Sequence, residues 1–142
     1  MHPNRKRRAR AGFTLIELMV VIVILGMLVA LVGPKLLGQA DKAKVGTAKT
    51  QIANLSMALK LYKLEFGSYP TSSEGLGQLI ENGKENFLEQ DVVPQDPWNN
   101  PYIYVAPGSN GHDFEIVSYG EDGSPGGSGL GADIESWNLG GN

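Results

Sequence analysis

Glu17 stands five positions after Gly12, at the edge of a run from Leu18 to Val32 in which no side chain carries a charge. A carboxylate at the lip of a segment this apolar is expensive to bury, so it needs a cation or a function. A second group of carboxylates, Glu121, Asp122 and Asp133, falls within the glycine-rich stretch Gly120–Asp133. Glycines permit tight folding there, and carboxylate and carbonyl oxygens are the ligands that Ca²⁺ takes. The stretch is not a phosphate-binding loop, because no Gly-Lys-Ser/Thr follows the glycines. Nor is it an EF-hand, since the acidic spacing is wrong and the closing glutamate is absent. His2 and His112 read as solvated side chains, and no pattern sets a serine beside a histidine and a carboxylate as a nucleophilic triad requires. The chain has no cysteine, which excludes disulfides, thiol catalysis and cysteine metal sites. The residues point away from an enzyme.

These groups must be positioned by the elements around them. From Phe13 the chain reads as one long helix, apolar on all sides in its first half as a lipid-embedded helix should be. The apolar run to Val32 is close to the ~20 residues that cross a bilayer as helix. It is longer than the roughly 7–15 residues of a signal-peptide core, and no clean small-residue cleavage site follows, so the segment is expected to be retained. Gly33-Pro34 interrupts the run, and a kink or local melting is expected there because proline cannot donate its backbone hydrogen bond. Periodicity then resumes. Val45, Ala48, Ile52, Leu55, Leu59, Tyr62 and Phe66 form a single apolar stripe, with lysines and amides between them. Gly67 and Pro70 end the helix.

A short helix is predicted over Glu74–Ile80 with Ser73 before it, ending near Asn82-Gly83. The segment from Val93 to Tyr102 is too proline-rich for helix or central strand and reads as an ordered turn, with Trp98 over the edge of the core. Tyr102–Val105 and Asp113–Tyr119, joined by the turn 107–111, form an antiparallel hairpin whose apolar face can pack on the Ile52–Phe66 stripe. The order predicts an α+β fold: a long N-terminal helix, membrane half first and amphipathic half second, packed on a small antiparallel sheet.

At 142 residues the chain suits one domain. Formal charge is -3, but Arg5, Lys6, Arg7, Arg8 and Arg10 hold five of the 12 Lys and Arg ahead of Gly12. Seven remain to face the 15 Asp and Glu, all of which follow Gly12. An acidic chain of this kind argues against nucleic acid as a partner, because phosphate binding is driven by Lys and Arg. Cations ahead of the apolar run place the N-terminus in the cytoplasm and the remainder across the membrane.

The hexapeptide Gly12-Phe13-Thr14-Leu15-Ile16-Glu17, between the basic cluster and the uncharged run, resembles the processing site of type IV prepilins and type II secretion pseudopilins. The resemblance implies a cleaved leader at residues 1–12, a cut between Gly12 and Phe13, and an N-methylated amine on Phe13. It implies a membrane and filament-core helix over 13–33 and a periplasmic domain over 34–142. The stretch Asp96-Pro97-Trp98-Asn99-Asn100-Pro101-Tyr102 is similar to the Asp-Pro-Trp-Gly-Asn-Pro-Tyr of major pseudopilins, with Asn99 in place of glycine. Asn tolerates a left-handed backbone better than most residues. Type IV major pilins usually close their C-terminal region with a disulfide, so the lack of cysteine favours the pseudopilin. The fold implied is type IV pilin-like, with a C-terminal calcium-binding loop.

On that resemblance Glu17 pairs with the Phe13 amine of a neighbouring subunit during assembly. Asp122 is the best-matched calcium ligand, followed by Asp133, Ser128 and the carbonyl of Tyr119. Family members often carry further acidic residues where this chain has Gly129, Leu130 and Gly131. The function implied is a structural subunit of the type II secretion pseudopilus, moving folded proteins from the periplasm through the outer membrane. The partners implied are further copies of the chain, minor pseudopilins, the prepilin peptidase and methyltransferase, an inner-membrane assembly platform and the bacterial inner membrane. The alternatives are a type IV pilin for adhesion, motility or DNA uptake, and a membrane-anchored periplasmic enzyme or binding protein.

Overall fold

Helix α1 runs over Leu15–Phe66, 52 residues, and starts where Thr14 takes the capping position. Thr14 Oγ1 accepts the Glu17 amide at 3.3 Å and the Thr14 carbonyl accepts the Leu18 amide at 3.2 Å. The β-branched run Val20 to Ile24 weakens a helix in water, whereas in hydrocarbon, the surroundings expected of this segment, a helix satisfies every backbone group internally. The computed structural model describes residues 12–81 and 86–140. The basic cluster Arg5 to Arg10 and the expected helix end at Asn82-Gly83 therefore lie outside the described residues.

The chain divides into two units, Met1–Gly38 and Gln39–Asn142. In the first, the side chains from Phe13 to Val32 are exposed, and the span is long and apolar enough to cross a membrane. Gly33 and Pro34 are both helical, so the local melting expected there does not occur. Pro34 forgoes the bond its missing N–H would have donated.

The second unit holds the buried core. Ala48, Ile52, Leu55, Ala58 and Leu59 of α1 pack with Leu76, Leu79, Tyr102, Ile116 and Ile134. On α1 all of these but Ala58 belong to the predicted stripe, with Val45 and Tyr62 half-buried along it. Phe66 is 39% exposed and ends the stripe against the rings of Tyr62 and Phe87, at centroid distances of 4.5 and 6.1 Å. Removing an Ile or Leu side chain fully from water stabilises the fold by about 1.5–3 kcal/mol. Gly67, with φ of 83°, caps α1 by donating its amide to the Lys63 carbonyl at 2.8 Å.

The short helix differs from its prediction. Helix α2 covers only Gln78–Glu81, and Ser73 does not cap it. Instead Thr71 and Glu74 bond reciprocally: the Thr71 amide donates to Glu74 Oε2 at 2.7 Å, and the Glu74 amide to Thr71 Oγ1 at 3.4 Å. This tightens a turn over 71–74, and Gly75 at φ 69° leads away from it. Leu76 and Leu79 are thereby delivered to the core.

The hairpin forms as expected, with β1 at Ile103–Val105 and β2 at Glu115–Ser118 in antiparallel register, Tyr104 opposite Ile116. A third strand, β3 at Ile134–Glu135, adds antiparallel to β2 with Ser118 opposite Ile134, giving the order β1-β2-β3. Ser136 locks β3 in place, its hydroxyl accepting the Ile116 amide at 3.1 Å and its amide donating to the Ile116 carbonyl at 2.9 Å.

Candidate functional site

At the N-terminal end, Gly12 and Phe13 precede the helix outside any regular element, and Phe13 is 82% exposed. A Cβ added at Gly12 would meet no atom of the described residues within 4 Å. Glu17 is exposed in the first turn of α1, where the helix dipole favours a negative charge. It is the only ionisable residue between Phe13 and Pro34.

The second site is built outward from Asp96, which is 3% exposed. Its Oδ1 accepts the amides of Trp98 at 3.0 Å and Asn100 at 2.8 Å, and its Oδ2 accepts the Ser118 hydroxyl at 2.6 Å. Burying a carboxylate is costly unless its lone pairs are engaged, and three donors engage it here. The turn closes with the Asp96 amide on the Asn100 carbonyl at 2.9 Å, and Asn99 occupies the left-handed region at φ 67°. Asn99 thus does the work anticipated for the family's glycine. Trp98 covers the core edge as predicted.

From this turn the structure reaches into the glycine-rich loop. Asn100 Nδ2 donates to the Gly120 carbonyl at 2.9 Å, and the Gly120 amide donates to Ser118 Oγ at 3.3 Å. Gly120 has φ of 63°, and a Cβ there would stand 2.5 Å from the Leu130 carbonyl oxygen. Only glycine fits. The Glu121 amide then donates to that same Leu130 carbonyl at 2.9 Å, closing the loop.

Inside the loop, Asp122 Oδ1 accepts the Ser124 amide at 3.0 Å, while Oδ2 lies 2.7 Å from where a Cβ on Gly131 would be. A side chain at 131 would displace that carboxylate, so the departure at Gly131 makes room for Asp122. Asp133 Oδ2 accepts the Gly126 amide at 2.9 Å, and Asp133 Oδ1 is buried with no hydrogen-bond partner. Ser128 is exposed and precedes a 3₁₀ turn, Gly129–Gly131, its carbonyl accepting the Gly131 amide at 3.2 Å. Tyr119 is half-buried between β2 and Gly120. Among the described residues no three acidic or histidine side chains gather closely enough to hold a metal, so Glu121, Asp122 and Asp133 do not form the cluster their sequence spacing suggested. The donors on offer are instead two carboxylates and the carbonyls around them. That set suits Ca²⁺, which accepts carbonyl oxygen readily, and the orphaned Asp133 Oδ1 is an oxygen in want of a positive partner.

Asp96, Asn100 and Ser118 were not singled out as site residues from sequence. The signal was present in Asp96-Pro97-x-x-Asn100-Pro101, since Asp side chains bond to backbone amides two residues on in such turns. The partner across the fold could not be read. His112 stacks on Trp137 at a centroid distance of 5.4 Å.

Comparison with known proteins agrees with this architecture. Residues 35–137 match the family profile "Type II secretion system (T2SS), protein G", and residues 7–33 match the prokaryotic N-terminal methylation motif. The chain is 44% identical to type II secretion system core protein G of Pseudomonas aeruginosa, covering 93% of this chain and 98% of that protein. It is 43% identical to the core protein G of Vibrio cholerae, covering 95% and 97%. The crystal structure of the major pseudopilin from the type 2 secretion system of enterohaemorrhagic Escherichia coli superimposes with a TM-score of 0.57 at 31% identity, over 73% of this chain and 95% of that one. With its long helix on a three-stranded antiparallel sheet, its methylation motif and these relatives, the chain belongs to the type II secretion protein G family and is a pseudopilus subunit.

Proposed function

We propose that this chain, freed of residues 1–12 by cleavage between Gly12 and Phe13 and methylated on Phe13, polymerises with its own copies into a periplasmic pseudopilus. Minor pseudopilins and an inner-membrane assembly platform are its partners, and growth of the filament moves folded proteins through the outer membrane. The role is structural, without catalysis. The observation that carries the reading is an exposed, membrane-length apolar helix with a single carboxylate, Glu17, in its first turn. Cleavage creates an amine at Phe13, the cation that Glu17 of a neighbouring copy lacks. Processing and assembly are coupled, because the amine does not exist while the leader is attached.

Glu17→Ala tests this. The substitution removes only a costly group from lipid, so membrane insertion and the folded domain should persist. Filament yield and secretion should fall sharply, scored by electron microscopy of sheared filaments and by secreted protein in the medium. Wild-type filament yield would rule out the pairing.

Within the same reading, the loop 120–133 takes Ca²⁺. Asp122 and Asp133 are the carboxylate ligands, with Ser128 and the Tyr119 carbonyl completing the set. Calcium bound there neutralises both carboxylates and orders a loop whose glycines make ordering costly. Asp133 Oδ1, buried without a partner, supports this assignment.

A further inference from the structure

We infer that Asn100 is a positioning residue for calcium: the turn Asp96–Asn100 holds the first turn of the loop so that Asp122 meets the carbonyls of its far side. The inference rests on the calcium reading above. Asn100 bonds the loop at Gly120 and lies beside it at Gly123. Its Nδ2 donates to the Gly120 carbonyl at 2.9 Å, and its Oδ1 lies 3.3 Å from where a Cβ on Gly123 would stand. Asp122 is carried between Gly120 and Gly123, on a segment otherwise made of exposed residues and glycine.

Asn100 is in turn held from behind. Its own amide donates to Asp96 Oδ1 at 2.8 Å, and Asp96 Oδ2 is fixed by Ser118, whose hydroxyl oxygen also receives the Gly120 amide at 3.3 Å. Gly120 is therefore gripped through its amide and its carbonyl, by Ser118 and Asn100, and both of those residues bond to one buried carboxylate. This closed circuit reaches the core, because Asp96 is buried beside Tyr102 and Ser118 is 0% exposed. A ligand shell that needs an exposed, glycine-rich segment to fold on itself binds more tightly when part of the ordering is already done. Asn100 does that ordering for Asp122.

The test uses the full-length protein extracted in detergent, titrated with calcium chloride and followed by tryptophan fluorescence and calorimetry. Asn100→Ala should weaken calcium about tenfold, the equivalent of a hydrogen bond's net contribution. Tyr104→Phe, which removes the Tyr104 hydroxyl bond to the Pro70 carbonyl at 2.8 Å far from the loop in sequence, should bind calcium as the wild type does. Amide hydrogen exchange in chelator should rise across 120–124 in Asn100→Ala and remain unchanged there in Tyr104→Phe. Wild-type calcium affinity in Asn100→Ala overturns the inference while leaving the calcium reading intact. Equal weakening in Tyr104→Phe also overturns it, since the effect would then be general destabilisation. A wild-type protein indifferent to calcium overturns both, and unchanged exchange in Asn100→Ala removes the positioning role whatever the metal does.

Discussion

Asp122 lies against Gly127 and Gly131 while Asp133 holds the Gly126 amide, and among the described residues neither has a cation among the contacts that hold it. A ligand that binds only the folded form stabilises it by mass action. The unit Gln39–Asn142 contains the buried core of the described residues, so it serves as a test segment. Its melting temperature should rise by roughly 5–15 °C when calcium is well above its dissociation constant. Magnesium should substitute poorly, because it demands near-octahedral geometry and gives up water reluctantly. Asp122→Ala should abolish the calcium-dependent rise and leave helix content unchanged by circular dichroism. A wild-type melt identical in calcium and chelator would show that loop 120–133 closes without metal. At this scale Glu17, Asp122 and Asp133 stand out in the sequence by type alone, as candidates. Gly131 does not: it reads as a missing acidic ligand, whereas its backbone stands where any side chain would collide with Asp122.

The elements divide by how far their determinants lie from one another. Helix α1 and its cap at Gly67 depend on spacing within a few residues, which is why the stripe from Val45 to Tyr62 could be predicted with only Ala58 missed. The hairpin is equally local. Strand β3 is two residues long and exists because β2 offers an edge and Ser136 supplies two bonds to Ile116; no two-residue pattern announces it. The start of the 71–81 segment was misplaced for a related reason, since Thr71 and Ser73 are both eligible caps and only the geometry chose Thr71 with Glu74. Packing makes a sharp prediction on α1. Ile52 is 0% exposed and Leu64 is 82% exposed on the same helix. Ile52→Ala should therefore cost about 2–5 kcal/mol in urea unfolding, and Leu64→Ala should stay within about 0.5 kcal/mol of wild type. Similar losses at both positions would mean that Leu64 is covered in solution.

For the whole molecule, the reading requires a mature chain beginning at methylated Phe13, so intact-mass measurement of membrane-extracted protein should find Met1 to Gly12 absent. A mature N-terminus elsewhere would sink the processing assignment. The unit Gln39–Asn142 should also weaken in alkali. Burial, reinforced by the nearby Asp96 carboxylate, raises the Tyr102 phenol well above its ordinary value, and burial first, then Tyr69, Glu74 and Tyr62, push Tyr104 up to about 12. Both phenols hold their protons more tightly folded than unfolded. Their contribution is fully present below the unfolded value of about 10 and is lost as pH rises through the folded values. Urea midpoints should be level up to about pH 10 and fall toward 12; a midpoint that rises across that window would contradict the burial of these rings. What the sequence determined by itself is the part governed by neighbours in the chain: the membrane-length run, the amphipathic stripe, the hairpin and the proline-rich turn before it. The tertiary structure alone decided the circuit from Asp96 through Ser118, Asn100 and Gly120. Its side-chain bonds join residues 22 and 20 positions apart, and periodicity carries no information about which distant groups a folded chain will bring within hydrogen-bonding distance.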